Sequence, residues 1–251
     1  MKLPLFFLMI LHVSVPNLHA QPPGAMRPWS AGAFVMTDSQ PYRDADGQTR
    51  VLPFVSYRSP VLEWYGPFVR ARVLRAENWS LGLRGQVDFG AYDEDDSDIL
   101  QGLGDRKTTF LLGMGIEGQL SQNWSLSLSA DRDALERHEG TEAVLGLSRR
   151  FGHPRAPFSA SASTGIRFQD KRWTRDRVGV PGDKAREDRP AYSPDLSIHP
   201  YLSTMVLYRF QERWMATAGL RYEWLDTTWQ DSPLVSDRGR LTSMFTLSRS
   251  F

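Results

Sequence analysis

The chain has 251 residues, a formal charge of +1, 41% apolar and 24% charged residues, and no cysteine. This near-neutral balance lacks the clustered basic face of a nucleic-acid binder, and the missing thiols exclude disulfides and thiolate-bound metals. A chain of this kind gains its stability from backbone pairing and packing.

The first residues read as an export signal. Lys2 supplies a positive start, Leu3 to Val15 is apolar apart from Pro4, His12 and Ser14, and Leu18, His19 and Ala20 precede Gln21. The apolar part is too short to span a bilayer comfortably, so residues 1–20 are read as a cleaved signal peptide, with Ala25 as an alternative site. Residues 21–251, roughly 230 of them, form one domain.

From there the spacing is two. Trp79, Leu81, Leu83, Gly85, Val87 and Phe89 alternate with Ser80, Gly82, Arg84, Gln86 and Asp88. The same holds in 124–131, 158–169 and 213–224. A period of two places each set on its own side of a sheet. The predicted strands are 29–36, 49–58, 61–65, 68–76, 79–91, 107–120, 123–135, 140–151, 157–171, 198–210, 213–227 and 239–251. Long loops at 37–48, 92–106, 172–197 and 228–238 then fall at one end, and short turns at 77–78, 121–122, 152–156 and 211–212 at the other.

Two architectures satisfy such strands: a soluble sandwich, or a membrane barrel with its apolar face outward. Most of these strands run to roughly 10–13 residues, the length of a tilted membrane strand and about twice that of a soluble one. The expectation is an all-β, transmembrane, antiparallel up-and-down barrel of twelve strands in the bacterial outer membrane. Three polar turns lead directly into tryptophans, Trp79, Trp124 and Trp214, which suit a periplasmic aromatic girdle. In the last strand Phe245, Leu247 and Phe251 share one face, the pattern of a C-terminal signal for the barrel-assembly machinery.

Alternation turns Arg70, Arg72, Arg84, Arg150, Arg167, Arg209 and Arg221 inward, with Asp88, Glu117, Asp131 and Glu223 as counter-charges. Such a lining either favours anions in an open pore or pairs internally to plug a narrow barrel, and the plugged form is preferred. The acidic run Asp93 to Asp96 with Asp98 departs from a calcium loop, since Ser97 and Gly104 stand where Gly and Glu are needed. It reads as a solvated loop. So does the stretch with Lys171, Arg172, Arg175, Arg177, Lys184, Arg186 and Arg189, where mixed signs outweigh contact with lipopolysaccharide phosphate. His138, His153 and His199 make no nucleophile motif, so no catalytic, cofactor or metal site is expected.

Several segments together resemble the MltA-interacting protein (MipA/OmpV) family. They are 51–57 (Val-Leu-Pro-Phe-Val-Ser-Tyr), 102–105 (Gly-Leu-Gly-Asp), 138–142 leading to Arg150 and Phe151, 189–192 (Arg-Pro-Ala-Tyr), 231–235 and the aromatic C-terminus. One departure is Arg177-Val178-Gly179-Val180, where the family shows a Tyr-Tyr-Gly-Val-like stretch. The resemblance implies a non-enzymatic outer-membrane scaffold joining a murein hydrolase to a peptidoglycan synthase, in contact with lipid and lipopolysaccharide. A porin-like channel for small polar solutes is the alternative.

Overall fold

The computed structural model describes residues 27–153 and 156–251. The expected signal peptide lies outside them. Twelve antiparallel strands close into one barrel, each paired with its sequence neighbours. They are β1 (Trp29–Asp38), β2 (Gln48–Arg58), β3 (Leu62–Tyr65), β4 (Phe68–Arg75), β5 (Trp79–Asp88), β6 (Thr109–Gln119), β7 (Trp124–Asp133), β8 (Thr141–Phe151), β9 (Phe158–Gln169), β10 (Ser197–Phe210), β11 (Trp214–Trp224) and β12 (Gly239–Ser250). The seam between β1 and β12 runs from Ser30–Ser250 to Asp38–Thr242, and Phe251 extends it by donating its N–H to Trp29 O at 3.0 Å.

The alternation that predicts these strands also sets their faces. Leu83, Leu112, Met114, Leu128, Leu202, Leu220 and Phe245 are exposed on the outer wall, while Gln86, Asp131, Arg167 and Arg221 between them are buried. This inverts a soluble sheet and is what a wall surrounded by lipid requires. Tyr65 is followed by Gly66 at φ 52°, which makes the tight turn between β3 and β4 and keeps the strand number even.

The ends differ from the sequence expectation. β5 stops at Asp88 instead of residue 91, because Gly90 takes a φ of 91° and turns the chain over the mouth. β9 stops at Gln169, where Asp170 caps a helix, α1 (Lys171–Val178), by accepting from Trp173 N. A further short helix, α2 (Thr227–Gln230), is capped in the same way by Asp226. Both helices lie in loops that alternation alone leaves blank.

Candidate functional site

The barrel interior and its two mouths form the candidate site. Arg50, Arg70, Arg84, Arg167, Arg177, Arg221 and Arg240 are turned inside, as are Asp38, Asp88, Glu117, Asp131, Asp133, Glu142 and Glu223. Nearer the turns Arg58, Arg150 and Arg209 add positive charge to this set, and Arg72 pairs with Glu63.

The largest network crosses four strands. Arg167 on β9 donates through Nη1 to Glu142 on β8 at 3.0 Å, and its Nε lies 2.9 Å from Glu223 on β11. Glu223 Oε2 accepts from Arg240 of β12 at 2.6 Å, and Gln169 Nε2 donates to Glu142 at 3.2 Å. Arg221 is 3.7 Å from Glu223 and lies on the face of Tyr201, its guanidinium carbon 3.8 Å from the ring centroid. That ring lies flat against the wall where β8 and β9 carry glycine. A Cβ on Gly165 would come within 2.7 Å of the ring, and one on Gly146 within 2.6 Å of the Tyr201 hydroxyl. Separate pairs fill the remaining wall: Arg84 with Asp131 at 3.3 Å, Arg70 with Glu117, and Arg50 with Asp38 at 3.4 Å.

Of the residues singled out by sequence, Arg70, Asp88, Asp131, Arg167, Arg221 and Glu223 are buried and Arg84 and Glu117 partly so. Arg72 is partly buried and pairs with Glu63 at 2.6 Å. Arg150 and Arg209 sit near the short turns, and Arg209 Nη1 donates to Ala156 O at 3.3 Å. Arg50, Glu142 and Arg240 are turned inward by the same alternation without having been singled out, and Asp38 joins them because β1 runs two residues past its expected end at residue 36.

The loop end is closed by a folded cap. All four long loops contribute to one apolar core: Tyr42 from the first, Ala91, Tyr92, Ile99 and Leu100 from the second, Val178 and Val180 from the third, and Leu225, Trp229, Leu234 and Val235 from the fourth. Polar contacts tie the same loops together. Ser232 Oγ donates to Val178 O at 2.7 Å, and the Tyr192 hydroxyl donates to Thr228 O at 2.7 Å. Arg106 Nε donates to Asp176 O at 2.6 Å.

Two loop arginines are therefore not solvated, contrary to expectation. Arg189 is 2% exposed and donates to the carbonyls of Ile99, Gln101 and Lys184. Arg177, at the end of α1, is 1% exposed and reaches down to donate to Asp88 at the top of β5. Burial disfavours its charge, but the Asp88 and Asp176 carboxylates overcome this and raise its pKa. His138 completes the junction, with Nε2 3.6 Å from Asp88 and its ring 4.6 Å from that of Trp173. A sequence signal for this helix exists: Asp170 as cap, then buried Trp173, Thr174, Arg177 and Val178 at helical spacing.

The acidic run of the second loop also turns inward on itself. Glu94 accepts from the N–H groups of Gly102 and Gly104, which adopt φ of 79° and 77°, and Asp96 accepts from Gln48. Burial and the neighbouring Asp105 and Asp96 push the Asp93 carboxyl up to about 6. Among the described residues no group of three or more His, Asp or Glu is placed to hold a metal ion. His199 is buried, 3.0 Å from Ser197 Oγ, while Asp195 pairs with Lys171 on the surface.

Among the described residues the turn end is open. A recess of about 510 Å³ lies inside it, lined by Arg72, Arg75, Glu77, Asn78, Glu117, Gln119, Gln122, Asn123, Arg150 and His153. Trp79 and Trp124 are exposed at the rim, and Trp214 is partly exposed and stacks on Phe210 at 6.3 Å.

A family model described as MltA-interacting protein MipA matches residues 31–251. The chain belongs to the MltA-interacting protein family. The protein named YiaT in Escherichia coli strain K12, which its name assigns to the outer membrane, is 24% identical over 232 residues, covering 88% of this chain and 90% of its own. Together with the closed barrel, this makes the MipA-family chain an outer-membrane protein. Among solved structures it is similar to the NanC porin, with 9% identity, coverage of 87% and 100%, and a TM-score of 0.44. It is also similar to an outer membrane channel from Pseudomonas putida F1, with 13% identity, coverage of 95% and 100%, and a TM-score of 0.44.

Proposed function

We propose that this protein is a plugged, non-enzymatic barrel whose working surface is its periplasmic end, where it docks murein-processing enzymes. The observation that carries this reading is the contrast between its mouths. The outer one is filled by an apolar core and by Arg177 on Asp88, whereas the periplasmic one holds an open polar recess of about 510 Å³. A conducting pore needs a continuous water path, and a lumen meant to select anions needs net positive charge. A lumen wall built largely of charge pairs, under a mouth filled by an apolar core, favours the plugged reading. The family name supports a murein enzyme as the partner, and the guanidinium and amide groups around the recess suit a polar protein surface. In this reading Trp79, Trp124 and Trp214 hold the periplasmic rim at the headgroups, and Phe245, Leu247 and Phe251 present the assembly signal.

The test has two arms. Refolded protein in a planar bilayer is expected to be silent while remaining folded, as judged by heat-modifiable gel mobility. Immobilised protein in mild detergent is expected to retain a purified lytic transglycosylase, and to lose it when Arg75 and Gln122 are both changed to alanine. Stable, salt-dependent single-channel steps from the unaltered chain would instead establish the solute channel.

A further inference from the structure

The barrel closes through a short ladder on one side. β3 has only four residues and pairs with β2 solely through Ser56–Tyr65, Tyr57–Trp64 and Arg58–Glu63. Gly66 N adds one bond to Val55 O, after which the chain turns back into β4. On β2 the even-numbered residues face β1, since Arg58 N bonds to Pro28 O and the register keeps Ser56, Phe54, Leu52 and Arg50 opposite even-numbered partners. Thr49, Val51 and Pro53 therefore direct their backbone groups into the gap above the β3–β4 turn.

This gap lies at membrane depth. Tyr57, in the aromatic group with Trp29 at 4.7 Å, marks the periplasmic side. Val51 is six residues further up, roughly 20 Å along the strand and about 15 Å along the normal, within an apolar band about 25 Å tall. Its side chain is 69% exposed, well above the 53% of Leu112 on the fully paired wall. Backbone groups facing hydrocarbon without partners are not tolerated. At its deepest point the edge carries Pro53, which has no N–H to leave unpaired.

Behind the gap the otherwise charged lumen turns apolar. Met36 and Met244 are packed with Phe34, Leu52, Phe89 and Met205. Leu52 lies on β2 and Phe89 directly follows the end of β5, and both pack against this cluster.

We propose that this gap is a lateral opening to the outer leaflet, in which one acyl chain of a membrane lipid lies against Leu52 and Phe89. The site is continuous with the lipid-facing wall, so lipid reaches it without a carrier. The ester carbonyls at the head of the chain accept from the N–H groups of Thr49 and Val51. The flexible methionines give way to a chain that is not rigidly shaped.

The chain has no cysteine, so single cysteines report cleanly. Bimane is attached to Leu52→Cys, to the outward Val51→Cys and to Val144→Cys, which is buried inside the paired wall of β8. Each is refolded into vesicles containing phosphatidylcholine brominated along its acyl chains. Quenching at Leu52→Cys is expected to approach that at Val51→Cys and to exceed that at Val144→Cys severalfold. Equal quenching at Leu52→Cys and Val144→Cys overturns the proposal, and so does strong quenching of Leu52→Cys by iodide alone, which marks a water cleft. Photo-crosslinking of the unaltered protein with a diazirine-bearing acyl chain gives a second readout. Adducts on Phe89 or Met36 support the opening, and adducts confined to outward residues such as Val51 refute it.

Discussion

At the loop end, four segments far apart in sequence fold over the mouth, bury Trp229 and Leu234, and send Arg177 into the lumen to meet Asp88. At the turn end, the strands are joined by short turns, and among the described residues the recess is left uncovered. Both mouths are rich in arginine, yet the arginines do different things. At the cap Arg177 and Arg189 are desolvated and held by carbonyls and carboxylates, so both are bound to the fold. Around the recess Arg75 is exposed, so it is available to a partner at little structural cost. Burial, not residue type, separates a structural arginine from one free to recognise something.

This contrast can be broken most severely at Arg177. Changing it to alanine leaves Asp88 buried without its main partner, a loss of about 3–5 kcal/mol. Because the cap and the wall meet there, the variant is expected to remain a heat-modifiable barrel while its loops become sensitive to protease and its bilayer trace gains conductance. A silent trace with intact loops would show that the apolar core seals the mouth unaided. Trp229→Ala comes next, at about 3 kcal/mol from lost burial and the cavity left behind. It should speed cleavage in residues 225–238 without altering the melting of the strands. Gly165→Ala tests the wall itself. The added methyl meets Leu145 O at 2.1 Å and the Tyr201 ring at 2.7 Å, so a loss of roughly 1–3 kcal/mol in urea unfolding is expected.

Smaller effects sharpen the comparison. The Asp93 carboxyl is raised to about 6 from 3.8, so between those values the folded loop holds a proton that the unfolded chain has released. Loop stability therefore falls as pH rises through that window, and the cost is complete above it. Asp93→Asn should slow proteolysis of residues 89–108 at pH 7.5, by an amount worth about 0.5–1 kcal/mol after solvent screening, and leave it unchanged near pH 3. Smallest is Arg75→Ala, expected within about 0.5 kcal/mol of the parent in unfolding. Its consequence should appear only in partner retention.

The wall was legible because a strand writes itself locally. Two faces alternate with a fixed period, and the Trp79 and Trp124 turns repeat the same short code, so each strand is found without knowledge of its neighbours. The cap obeys no such period. Arg177 and Asp88 are 89 residues apart, and Arg189 reaches carbonyls 88 to 90 residues away. Mixed charges in that loop look solvated until the fold supplies partners. Local information did exist for α1, in the Asp170 cap and the helical spacing of Trp173 and Arg177. It was masked by a highly charged composition, since helices on a mouth bury only one narrow stripe. Arg50, Glu142 and Arg240 were legible by the alternation already used for Arg167 and Glu223, whereas Asp38 lies beyond the expected end of the first strand.

The seam between the first and last strands has a kinetic consequence. Trp29 and Phe251 meet across almost the whole length of the chain, so closing the ring is the most distant contact the polypeptide makes. The ordering entropy of that loop falls due before its reward, and folds dominated by distant pairings form slowly. Until β12 has emerged, the first strand has no partner on one side. Deleting β12 therefore removes more than one strand's ladder bonds. It leaves an open sheet with two adhesive edges during transit, and such a chain should be lost to aggregation or proteolysis before it reaches the bilayer.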